Sequence, residues 1–248
     1  MPKHLSDLFH SHDRDEIDPK APILKNTKAV QMMIIGAKRS GKSSLIKSFL
    51  DSPKLYKGYF GNIFMISPSV SDGKMKPLIA ELQKEGKFFT ELTEANIKTI
   101  LDILEAEKHA IERKEKKLKK KLPPVYNLLI LDDVMADLPR SFKKNRITSL
   151  FMNARHYSLS TMVVSQVYRG IPSQVRKQAD MLYVFPLVKK EKEAIQEDWD
   201  VPEGVFDCAF EDESDHPFLS INVVSKAHPS YFRKMDPIVE SGEEYDSD

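Results

Sequence analysis

Five short apolar runs punctuate an otherwise polar chain: Val30–Ile35, Asn62–Ile66, Tyr126–Asp133, Thr161–Gln166 and Met181–Phe185. Each has the length of a strand, and their near-continuous apolarity marks strands buried on both faces of a parallel sheet. Between them the spacing becomes helical, over Ser44–Leu50, over Met75–Gln83 and from Glu94 to Lys121, where Pro123-Pro124 stops it. Strands alternating with helices predict an α/β fold, a three-layer sandwich around a mainly parallel central sheet. Two further apolar runs, Phe206–Phe210 and Phe218–Val224, predict a C-terminal β-hairpin extension at the sheet edge. The ends lack periodicity, so a domain over residues 25–235 is expected between a flexible arm, 1–24, and an acidic, disordered tail, 236–248.

Composition changes this picture in two places. The 248 residues, 41% hydrophobic, suit one large domain with one sheet. A formal net charge of +1 rules out a global field for nucleic acid, so any such patch is local. The one strong local concentration is the basic helical protrusion at 105–123, where five of the six residues 116–121 are lysine. Such a run is either a solvated helix end, suited to the helix dipole, or a contact to a phosphate backbone. The single cysteine, Cys208, excludes an internal disulfide framework. With no apolar leader after Met1 and no run long enough for a membrane span, a soluble intracellular protein without a secretion signal is expected.

The chemistry begins directly after the first strand. Gly36, Ala37, Lys38, Arg39, Ser40, Gly41, Lys42 and Ser43 complete the phosphate-loop pattern G-x-x-x-x-G-K-S/T, followed by Ser44 and a helix. Strand, tight turn and helix N-terminus aim several backbone N–H groups and the helix dipole at one anion. In this arrangement residues 36–44 cradle a nucleotide, Lys42 reaches the β- and γ-phosphates, and the Ser43 hydroxyl ligates Mg²⁺.

Asp132 and Asp133 end the third strand, on the side where a doubly wound sheet keeps its ligand crevice. Asp132 is expected to hold Mg²⁺, directly or through water, and Asp133 to orient or deprotonate the attacking water. Gln166 ends the fourth strand and is placed to sense the γ-phosphate or the water. A charge-neutralising arginine is also needed for fast phosphoryl transfer. Arg155, Arg169 and Arg176 flank the fourth strand, with Arg140 and Arg146 upstream, and spacing alone selects none of them. The guanine-recognition motif N-K-x-D and the transporter signature L-S-G-G-Q are both absent, which argues against a GTPase and a transporter ATPase.

The order of motifs resembles one family. Gly36–Ser43, then Leu128–Asp133, then Asn153–Ser160 with its Arg-His-Tyr-Ser-Leu-Ser stretch, then Ser165-Gln166 and Ile171–Arg176 are similar to the poxvirus-type DNA-packaging ATPases. These are members of the FtsK–HerA superfamily, found in nucleocytoplasmic large DNA viruses and virophages, with a RecA-like fold. The resemblance covers residues 28–190. It implies an ATP- and Mg²⁺-dependent ring, pentamer or hexamer, that pumps double-stranded DNA into a preformed capsid and meets capsid or portal-vertex proteins. It also implies residence in the viral factory of the host cytoplasm and in the virion. The family's arginine before the fourth strand acts across the subunit interface, and the matching residue is Arg155, with Arg176 the second choice. The chain departs from cellular HerA-like pumps at Asp133, where those often carry Glu. Two other readings stand beside the packaging motor: a nucleotide-switched DNA- or capsid-binding assembly factor with little hydrolysis, and a cellular-type DNA segregation or transfer pump.

Overall fold

Alternate residues of the central strands face opposite cores, which explains why these runs are apolar throughout. In β1 (Gln31–Ile35), Met33 and Ile35 pack into one core, and Met32 and Ile34 into the other. β4 (Tyr126–Asp132) divides Leu129 and Leu131 from Leu128 and Ile130 in the same way. Each such fully buried side chain contributes about 1.5–3 kcal/mol of transfer free energy. The computed structural model describes residues 18–238, except 19, 26, 28, 71–72, 135–145, 212–214 and 226–227.

In chain order the helices are α1 (Lys42–Asp51), α2 (Lys76–Lys84), α3 (Glu94–Leu118), α4 (Arg146–Asn153), the single turn α5 (Ser173–Arg176), α6 (Lys189–Trp199) and α7 (Val205–Phe210). The remaining strands are β2 (Phe60–Ile66), β3 (Phe88–Phe89), β5 (Leu159–Ser165), β6 (Met181–Val184), β7 (Leu219–Asn222), β8 (Ser230–Arg233) and β9 (Asp236–Pro237). They form one sheet in the order β3-β2-β4-β5-β1-β6-β7-β8-β9. The pairs from β3 to β6 are all parallel, and those from β6 to β9 antiparallel. α1 and α2 cover one face with Leu45, Ile46, Phe49, Ile79 and Leu82. The opposite face is covered by α3, α4, α6 and α7, through residues such as Ile97, Ile100, Phe151, Ile195 and Phe206. The expected three-layer α/β sandwich is therefore observed.

Two expectations need correction. Phe206–Phe210 belongs to α7, not to a hairpin: Val205, Phe206 and Ala209 are buried at helical spacing, and Gly204 (φ 91) turns the chain into it. A short aromatic-rich run fits either element, and packing against β8 decided this one. The antiparallel extension is instead β7 with β8 and β9, so residues 236–237 pair with a strand where a disordered tail was expected. β3 is a two-residue edge strand that periodicity could not show. At the other end, residues 20–24 lie against the body. Leu24 is buried, the Asn222 amide donates to the Asp18 and Ala21 carbonyls, and Tyr56 donates to the Leu24 carbonyl. Residues 1–17 and 239–248, the rest of the expected arm and tail, lie outside the described residues.

Candidate active site

The sheet order brings three strand ends together. β1 lies between β5 and β6, and β5 lies between β1 and β4, so the segments leaving β1, β5 and β4 emerge side by side. The Gly36 amide donates to the Ser165 carbonyl (3.1 Å), and the Asp133 amide to the Val164 carbonyl (3.0 Å). These bonds tie the phosphate loop and the acidic pair to the same intervening strand.

The loop runs tightly from β1 into α1. Arg39 (φ 67) and Gly41 (φ 111) both take left-handed backbone, and Gly41 lies against His216 so closely that a Cβ there would meet its Cγ at 3.0 Å. At Gly36 a Cβ would meet Ser40 Oγ at 2.5 Å and Phe185 Cβ at 2.7 Å, so only glycine fits. Lys42 Nζ donates to the Gly36 and Ala37 carbonyls (2.6 and 2.9 Å), which holds the ammonium over the loop. Burial lowers its pKa from the usual lysine value, while Asp133 and Asp132 pull it back up. Ser40 Oγ is buried with no hydrogen-bond partner among the described residues. A partly desolvated cation, an orphaned hydroxyl and a helix N-terminus together fit a bound polyphosphate.

Consecutive carboxylates serve different neighbours here. Asp132, the last residue of β4, accepts a hydrogen bond from Ser67 Oγ (2.9 Å) at the end of neighbouring β2. Asp133 follows with left-handed backbone (φ 52) and accepts from Gln166 Nε2 at 2.6 Å. Gln166 lies one residue past β5. Its donation to Asp133 leaves its amide oxygen as an acceptor for a water proton.

One cavity of about 520 Å³ is lined by Lys38 to Ser44, Ser69, Gly73, Lys74, Asp132, Asp133, Gln166 and His216. It thus joins the loop, the acidic pair and the glutamine, and Lys42 on its wall is bonded to the Gly36 and Ala37 carbonyls. Several contributors were not singled out in the sequence. Ser67 orients Asp132; Lys74 enters the cavity with its Nζ donating to Ser44 Oγ at 2.6 Å; His216 comes from the segment before β7. Ser67 was readable in principle, as the polar end of a strand, once β2 was known to neighbour β4. Nothing local marks Lys74 or His216.

The arginines separate clearly. Arg176 is committed to structure: it pairs with Asp198 at 2.8 Å and lies over the Tyr168 ring at 4.7 Å. Tyr168 donates to the same Asp198 and accepts from Trp199 Nε1, both at 2.8 Å. Arg155 is exposed on the 3-10 turn Ala154–Tyr157, ahead of β5. Gln166 follows the far end of that strand, whose seven residues span about 23 Å. Arg169 is exposed, and its amide donates to Glu191. Arg140 lies outside the described residues.

A profile of the poxvirus A32 protein family matches residues 23–202. The chain belongs to that family. Its architecture is shared with the genome packaging NTPase B204 of Sulfolobus turreted icosahedral virus 2, solved with sulfate. There the TM-score is 0.55 at 20% identity, over 86% of this chain and 99% of that one. B204 from Sulfolobus turreted icosahedral virus, described as a DNA-packaging ATPase, gives 0.53 at 19%, over 87% and 100%. The pCW3 conjugation coupling protein TcpA, solved with ATPγS, gives 0.51 at 12%, over 85% and 62%. Comparison with curated proteins gives no match. Among the described residues of this A32-family chain, no helix is long and apolar enough to cross a membrane.

Proposed function

We propose that this chain is an ATP-hydrolysing motor that translocates double-stranded DNA and packages a viral genome into a preformed capsid. One observation carries the reading: the phosphate loop, Asp132 and the hydrogen-bonded pair Asp133–Gln166 line a single cavity. Membership of the poxvirus A32 protein family and the fold shared with the B204 packaging ATPases support the DNA-packaging role.

The residues take these roles. The amides of 36–44, Ser40 Oγ and Lys42 bind the β- and γ-phosphates. Ser43 and Asp132 hold Mg²⁺; their hard oxygens suit that ion, and Ser67 fixes the carboxylate. These two would be the residues that hold the ion; no cluster of three or more metal-ligating side chains occurs among the described residues. Mg²⁺ supplies charge neutralisation at the transferring phosphoryl group. Asp133 takes a proton from the attacking water, which Gln166 aligns through its amide oxygen.

Arg155 serves as the charge-neutralising arginine of a neighbouring subunit. Its place at the opposite end of β5 puts it out of reach of its own site but on an edge that a head-to-tail ring would bring to the next one. On this reading the working unit is a homo-oligomeric ring, pentamer or hexamer, acting with capsid or portal-vertex proteins in the viral factory and the virion. The bond between Asp133 and Gln166 supports hydrolysis over the switch reading, since it pairs a carboxylate with an amide suited to aligning water.

Displacement of a third strand from a DNA triplex tests the motor. Wild type should displace it with ATP, and Asp133→Asn should bind ATP without displacing it. Wild type that hydrolyses ATP in the presence of duplex yet never displaces the strand would show that it is not a translocase.

A further inference from the structure

The lysine-rich end of α3 takes no part in the site above, and it leaves the body of the molecule. Helix α3 has 25 residues, about 37 Å; the seven-residue strands beside it span about 23 Å. By mid-helix it has already reached the N-terminal edge of the sheet. Asn62, near the start of β2, donates to Glu107 (2.8 Å), and Tyr157, just ahead of β5, donates to Glu105 (3.3 Å). Its buried residues, Ile97, Ile100 and Leu104, all precede that point. The last turns therefore project past the edge that also carries Arg155.

Charge is concentrated there. Residues 113–121 hold seven cations against the single carboxylate of Glu115, a net +6 in a chain of net +1, so all the other residues sum to −5. Among the described residues, Glu115 pairs with only one of these cations, Lys121. It turns inward on the helix end, accepting the Leu122 amide (2.9 Å) and Lys121 Nζ (3.0 Å). Lys116, Lys117, Lys119 and Lys120 are exposed and make no ion pair among the described residues. Arg113, Lys116 and Lys117 share one helix face at i, i+3 and i+4. Lys119 occupies the left-handed C-cap (φ 51), where glycine is the least strained choice, and so places a cation at the turn itself.

A helix dipole is answered by one or two cations in the last turn; seven exceed that need. The surface lacks what other anionic partners would use. Leu118 is the one large apolar side chain exposed on the tip, too little for an amphipathic membrane helix. Unpaired, flexible lysines along a projecting rod match a regular array of phosphates, which they contact without reading sequence. We infer that the tip of α3, through Lys116, Lys117, Lys119 and Lys120, grips the phosphate backbone of duplex DNA. This rests on the motor reading and names the surface that holds its substrate.

The test uses the full chain with Lys116, Lys117, Lys119 and Lys120 all changed to Gln, beside a variant with all four changed to Arg. Binding to a fluorescent duplex is measured over a salt series, together with basal ATPase rate and oligomeric mass. Removing four phosphate contacts should flatten the slope of log K against log salt by about 3 to 4. The Arg variant should keep the wild-type slope, and basal ATPase and mass should not change. An unchanged slope in the Gln variant would overturn the assignment. So would loss of the oligomer, which makes the tip a subunit contact, or tip-dependent binding to phosphatidylserine vesicles stronger than to duplex. Wild type that neither binds duplex nor responds to it would instead remove the motor reading itself.

Discussion

Asp132 and Asp133 are adjacent in sequence yet point to different partners, because the left-handed backbone at Asp133 swings the second carboxylate away from β4 toward Gln166. On the proposed mechanism, the bend would let Asp132 hold a metal while Asp133 handles water. Asp133→Asn should lower turnover about 100-fold or more, since the general base is lost. It should leave ATP affinity and thermal stability near wild type, because Asn tolerates the same backbone. Turnover within a few-fold of wild type would remove Asp133 from the mechanism. Gly36→Ala should abolish ATP binding, measured by nucleotide titration, because its methyl group would displace Ser40 or Phe185. The phosphate loop was legible in sequence because its function lies in local spacing. The bond from Gln166 to Asp133, across 33 residues, was legible only as a shared strand end, and Lys74 and His216 were not legible at all. Those two reach the cavity through the packing of loops, which no periodicity records.

At the scale of elements, the five longer parallel strands and the long α3 were readable because each is either mostly apolar or uniformly rich in helix formers. α7 was misread because six residues with two phenylalanines satisfy both periods. Its partners, β8 and α6, lie elsewhere in the chain. The α5–α6 contact separates structure from catalysis. Arg176 and Asp198 are largely buried, at 15% and 20% side-chain exposure, and share Tyr168. Arg176→Ala leaves Asp198 without its cation and should cost about 2 kcal/mol or more. Chemical denaturation measures that loss, and the folded variant should keep its ATPase rate. A stable variant without turnover would transfer the arginine role to Arg176.

The whole molecule places nucleotide chemistry at one edge of the sheet, and Arg155 with the basic α3 tip at the other. In the proposed head-to-tail ring, Arg155 would meet a neighbour's nucleotide site while the α3 tip stays clear of the contact, so the active site would be completed only in the assembly. Arg155→Ala should therefore lose turnover without losing stability. Mixing it with Lys42→Ala should restore activity, since the first supplies intact phosphate loops and the second intact arginines. A mixture as inactive as its parts would place Arg155 outside the site. The most direct test of the motor is the steady-state ATPase rate with and without long double-stranded DNA, beside Lys42→Ala. Stimulation by DNA in the wild type, with no turnover in the mutant under either condition, is the predicted result. A wild-type rate equal to the mutant's with and without DNA would contradict it.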